Sequence, residues 1–159
     1  MTPPDQIGLH AEAQGGGLAQ DVGAFQNGVP IATAPNIGPG GVLNLLASAG
    51  DQQSGIQKIR IIGSESTCKW SGGGYTQVTH NGAKEWFAQV NTPSSGTVPE
   101  QSTVQTSVFV GNELGSADRL EMMFQVEATN FGGLVALSQP VAYQSVNQTG
   151  HNHSGSCPP

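Results

Sequence analysis

YTQVTHNGAKEWFAQVN, residues 75–91, sets two runs rich in β-branched and aromatic residues around the pair Asn81-Gly82. Asn-Gly readily supplies two successive positive φ angles, so the stretch predicts a β-hairpin with a two-residue type I′ turn at 81–82. On its second arm Trp86, Ala88 and Val90 fall on one face and Glu85, Phe87 and Gln89 on the other, because side chains alternate along a strand. One face is apolar and needs a cover.

Downstream, Val104, Thr106, Val108 and Val110 alternate with Gln105, Ser107 and Phe109. The alternation in 119–128 is cleaner still, with Leu120, Met122, Phe124, Val126 and Ala128 predicted to face inward. Residues 112–116 and 130–133 read as turns, and 134–146 as a last strand interrupted at Pro140, which suits an edge or a bulge. Upstream, 42–49 reads as a strand, 51–54 as a turn and 56–62 as a buried strand. Residues 63–74, with Cys68, Trp70 and three consecutive glycines, read as a loop. No amphipathic helix is apparent and crossover helices are missing, so the pattern predicts an all-β chain: an antiparallel β-sandwich or jelly-roll-like domain over 42–146.

Residues 1–41 read as an extended arm, because Gly15-Gly16-Gly17, the Gly-Pro-Gly-Gly run at 38–41 and five prolines break every periodicity. Ile7, Leu9, Leu18, Val22, Phe25, Val29 and Ile31 punctuate it like pegs. Ordering about 30 such residues costs on the order of 30 kcal/mol. At about 25 cal/mol per Å², that needs roughly 1,200 Å² of buried apolar surface, which points to contacts with neighbouring subunits. Residues 147–159 read as a polar tail with no core-forming side chain.

Charged residues make up 10% of the 159 and net charge is −6, against a usual charged share of about 25%. Gly, Gln, Ser, Thr and Asn fill the deficit, a surface more typical of binding or assembling proteins than of metabolic enzymes. Five basic residues cannot neutralise a phosphate backbone, so direct nucleic-acid binding is not expected. No run approaches the roughly 18 apolar residues of a membrane span, and the N-terminus shows no secretory pattern.

Nothing calls for a cofactor. The acids are scattered singly, so no acid-base pair is proposed, and no nucleophile, base and orienter can be named. A non-enzyme is expected. His151, His153 and Cys157 are zinc-type donors without recognised spacing, and read as solvated tail. His10 and His80 read as surface histidines. Cys68 and Cys157 are expected to be free thiols, the alternative being one disulfide across a long loop. Trp70 and Tyr75 are the candidate contact residues, an aromatic surface for a sugar ring, while Trp86 fits a core position.

Strand-rich core, peg-bearing arm and charge-poor composition together resemble virion structural proteins of phages and viruses: capsid, cement or decoration subunits and tail components. The resemblance is architectural and assigns no residue a role. It implies a virion location and partners among other virion subunits or copies of the same chain. The alternative reading is a carbohydrate-binding or adhesive β-sandwich, extracellular, with a glycan partner.

Overall fold

The computed structural model describes residues 2–15, 37–146 and 157–158 in full, and the backbone alone of 18–19, 24–26, 29–31 and 36. Twelve strands and one short helix follow in order: β1 (Asp5–Gln14), β2 (Leu18–Ala19), β3 (Ala24–Gln26), β4 (Val29–Ile31), β5 (Asn36–Ile37), β6 (Val42–Gly50), β7 (Ile56–Ser71), β8 (Gly74–Val90), β9 (Gln101–Phe109), α1 (Val110–Leu114), β10 (Arg119–Asn130), β11 (Val135–Leu137) and β12 (Val141–Val146). A small sheet runs β1-β6-β9. A large one runs β2-β5-β12-β10-β7-β8, with β11 also on β10; β3 and β4 pair with each other. The chain is an all-β sandwich, and the pairings among the described residues are antiparallel except for a parallel bridge between Gln144 of β12 and Asn36 of β5.

The core lies between the two sheets and is built by the alternation that the sequence shows. Leu43, Leu45, Ala47 and Ala49 of β6 and Val104 and Val108 of β9 face Ile59 and Ile61 of β7 and Leu120, Met122, Phe124, Val126 and Ala128 of β10. Every one of these is at most 5% exposed, so each aliphatic side chain contributes about 1.5–3 kcal/mol through burial. The predicted strands at 42–49, 103–110 and 119–128 and the break at Pro140 are all present. The expected turn at 112–116 is instead mostly taken up by α1, which closes one end of the sandwich with Val110 and Leu114 buried.

The hairpin is displaced. β7 continues through the expected loop to Ser71, and β8 is one strand from Gly74 to Val90 that runs straight through Asn81-Gly82. The turn falls at Gly72-Gly73, with φ of 63° and 91°, the two positive values that a type I′ turn requires. Two features allow the longer strand. Gly63 lies against β10 so closely that a Cβ would overlap the Met123 carbonyl, so glycine sustains the ladder there. Asn81-Gly82 is absorbed by a bulge: β8 advances three residues between Lys84 and Asn81 while β7 advances two between Gly63 and Glu65. Further bulges leave Trp86 and Val78 as extra residues. The bulge at Trp86 changes the facing pattern of the arm: Trp86 and Phe87 both pack partly on the core, whereas Val90 is 63% exposed.

The expected arm is divided. Asp5–Gln14 is a strand of the domain, paired with β6 from Asp5↔Gly50 to Gln14↔Val42, and Ile7, Leu9 and Ala11 pack on the core. Gln14 and Val42 being register partners, the chain between them is an excursion that leaves and re-enters at one place. Within it β5 reaches the far side of the large sheet beside β12.

Candidate functional site

Trp70 and Tyr75 are brought together by the Gly72-Gly73 turn as the cross-strand pair Trp70↔Tyr75. Their ring centroids are 5.1 Å apart at 80°, an edge-to-face pair, and both residues are half-buried. The Trp70 amide donates to Asp118 Oδ2 at 2.9 Å, and the Arg119 guanidinium lies 5.6 Å from the Tyr75 ring centre. Rings at this angle do not make the coplanar platform on which a sugar ring stacks.

Beneath them, on the outer face of the large sheet, Arg119 is fully buried. Its Nε donates to Glu121 Oε2 at 2.7 Å, and its guanidinium also donates to Gln144 Oε1. Burial pushes the Glu121 carboxyl up, against the opposing pull of the Arg119 guanidinium and of the Cys157 amide, which donates to Glu121 Oε2 at 3.2 Å. Cys157 is 4% exposed and forms a disulfide with Cys68, with Cα atoms 5.5 Å apart at a sequence separation of 89. The expectation of free thiols is therefore corrected, as is that of a tail without a core-forming residue. The pairing Arg119↔Cys68 sets Cys68 beside the very pair that Cys157 covers, a proximity that redox compartment alone does not reveal. With its sulfur bonded, Cys157 is no zinc ligand. His151 and His153 lie outside the described residues, and among those described no group of three His, Cys, Asp or Glu is placed to hold a metal ion.

A second ionic cluster sits on the inner face, where α1 closes the sandwich. Lys84 Nζ lies 3.4 Å from Glu65 Oε1, 3.3 Å from Glu113 Oε2 and 4.4 Å from the centre of the Trp86 ring. Trp86 in turn stacks at 4.6 Å on Phe124 of the core. Glu65 is pushed up to about 7, first by burial and then by its hydrogen bond with the Glu113 carboxyl; that same hydrogen bond is the leading cause that lowers Glu113. Trp86 Nε1 is buried without an acceptor among the described residues. The opposed shifts of the two acids fit a proton shared between them. This carboxyl pair is hidden in the sequence as long as Glu65 reads as part of a loop. Extending the β7 alternation through Gly63 would have placed Glu65 inward.

The remaining candidates are bland. His80 Nδ1 shares a 2.7 Å hydrogen bond with Ser66 Oγ across β7 and β8, and His10 pairs with Glu12 at 3.1 Å on an exposed face. Of the pegs, Ile7 and Leu9 pack within the domain itself. Val22 and the side chains of Leu18, Phe25, Val29 and Ile31 lie outside the described residues. The outer face of the small sheet holds a shallow cleft of about 430 Å³ lined by His10, Glu12, Asn44, Leu46, Gln105 and Ser107, with Ser107 Oγ donating to Asn44 Oδ1 at 2.7 Å. No helix among the described residues is long and apolar enough to cross a membrane.

The sequence matches no protein-family model and no curated protein. Among solved structures it is similar to an X-ray structure of Northeast Structural Genomics Consortium target SoR45, at 8% identity and a TM-score of 0.30, covering 95% of this chain and 94% of that one. A similarity of that degree carries no functional argument.

Proposed function

We propose that the chain is a structural subunit of a virion-type particle, building or decorating it through subunit contacts made by residues 16–40. The observation that carries this reading is the excursion between β1 and β6. Its two ends meet, since Gln14 and Val42 are register partners and a Cβ on Gly41 would stand 3.3 Å from the Gly15 carbonyl oxygen. A connection that returns to its starting point needs only a tight turn. One of this length, rich in Gly and Pro and studded with apolar residues, is far longer than the usual 2–5 residues of a hairpin loop. The charge-poor, Gln/Ser/Thr-rich surface supports assembly over catalysis. The carbohydrate-binding alternative retains only the meeting of Trp70 and Tyr75, whose mutual angle offers one ring face and one ring edge.

The test leaves β1 in place, because Ile7 and Leu9 belong to the domain. Replacing Val22, Phe25, Val29 and Ile31 with Ser is expected to leave thermal unfolding within about 1 kcal/mol of the parent chain and to abolish assembly beyond a dimer, read by light scattering. Unchanged higher assembly would overturn the proposal.

A further inference from the structure

Strands at a sheet edge present unpaired N–H and C=O groups, and proteins that stay monomeric blunt them with charge, proline or bulges. Two long edges of this molecule are blunted. β1 carries Asp5, His10 and Glu12 and a register irregularity between Asp5 and Gly8. β8 is broken by three register shifts and carries Lys84 and Glu85. The third edge is bare. β9, Gln101–Phe109, has no charged residue and no proline, and stays in unbroken register with β6 over nine pairs. Its other side has no strand partner among the described residues.

We propose that β9 is a self-association edge: two copies of the chain pair their β9 strands antiparallel about a two-fold axis at Gln105, merging two three-stranded sheets into one of six. This inference is separate from the particle reading above and holds whatever residues 16–40 contact.

The sequence of β9 suits pairing with itself. Centred on Gln105, the outward side chains meet as Gln105 with Gln105 and Thr103 with Ser107, an amide pair and a hydroxyl pair, while the inward ones meet as Val104 with Thr106. No like charges oppose, and cross-strand pairs of these kinds each contribute about 0.2–1 kcal/mol. A slip by one residue would turn the polar set inward, so the facing of the strand excludes odd slips. Phe109, 55% exposed, ends the strand, and Val98, 38% exposed, lies just before its start. Antiparallel pairing brings the end of one strand to the start of the other, so each exposed Phe109 approaches the partner's segment containing Val98. An isologous contact of this kind closes as a dimer and does not propagate.

The test uses the full-length chain with its Cys68–Cys157 disulfide intact. At tens of micromolar, light scattering is expected to give twice the 16.3 kDa chain mass. Gln105→Lys sets two ammonium groups across the axis and is expected to weaken the dimer at least tenfold without lowering the melting temperature, since residue 105 is exposed. Gln105→Cys is expected to form a covalent dimer under mild oxidation, whereas Glu12→Cys, on the opposite edge, stays monomeric under the same conditions. A monomeric parent chain at every concentration, a Gln105→Lys dimer of undiminished affinity, or preferential linkage through Glu12→Cys would each overturn the inference. Loss of higher assembly on peg replacement, with the dimer kept, bears on residues 16–40 alone.

Discussion

The two ionic clusters of this sandwich bury charge in opposite ways. On the outer face, among the described residues, a guanidinium meets a carboxylate and an amide, and the group is closed off by a covalently anchored residue: Arg119, Glu121 and Gln144 under Cys157. On the inner face one ammonium is shared between two carboxyls, Glu65 and Glu113, and Lys84 keeps 24% of its side chain exposed. Burial raises an acid in both. The first cluster is balanced in charge and depends on its lid. The second holds one acid too many and depends on a proton, so the two are expected to respond to different perturbations.

The largest effect is expected at the lid. Reducing the disulfide, or Cys157→Ser, releases a loop of 89 residues and unseals Arg119, at an expected loss of about 4 kcal/mol. Denaturant unfolding with and without reductant measures it, and a loss below about 1 kcal/mol would show that Cys157 does not seal the cluster. Next comes Arg119→Met, which strands the buried Glu121 carboxylate. A loss of about 3 kcal/mol is expected at pH 7, shrinking toward pH 4 as Glu121 takes up a proton. A loss independent of pH would mean that Arg119 contributes packing rather than charge.

The smallest effect belongs to the inner cluster and has the opposite sign. Glu65 is raised from its ordinary value to about 7 in the folded chain, so its stabilising contribution is full below about pH 4.5 and is lost as pH rises through 7. Glu113, which is lowered, acts the other way, and its contribution is lost only below its ordinary range. Between pH 5 and 8 the Glu65 term therefore governs this cluster. Glu65→Gln is expected to stabilise the chain by about 1–2 kcal/mol at pH 8, to do almost nothing at pH 5, and so to flatten the slope between them. An equal effect at both pH values would remove the shared proton from the account.

Where burial follows strict alternation, the sequence was transparent. In β10 every second residue from Leu120 to Ala128 is at most 2% exposed, and β6 and β9 show the same regularity, so strand, face and core could all be read. β8 was opaque because its information is not local. Asn81-Gly82 carries the strongest turn signal in the chain, yet Gly72-Gly73 takes the positive φ angles and three bulges absorb the mismatch along β7. Gly63 misled for a related reason: it was read as the end of a strand, whereas it serves the close approach of β10. The clusters were out of reach because Glu65, Lys84 and Glu113 come from three elements, and Cys68 and Cys157 meet only once the register of β7 on β10 is known. The aromatic pair was anticipated in membership but not in geometry.

Gly15 and Gly41 meet at the open end of the β1–β6 ladder, while between them β5 pairs with β12 and buries Ile37 in the core. The cost of closing a loop grows only with the logarithm of its length, by about 0.6 kcal/mol per doubling. The stretch ahead of β5 can therefore change in length at little entropic cost, provided that β5 still delivers Ile37 to the core. The excursion is thus tethered at three points, its two ends and β5, rather than at its ends alone.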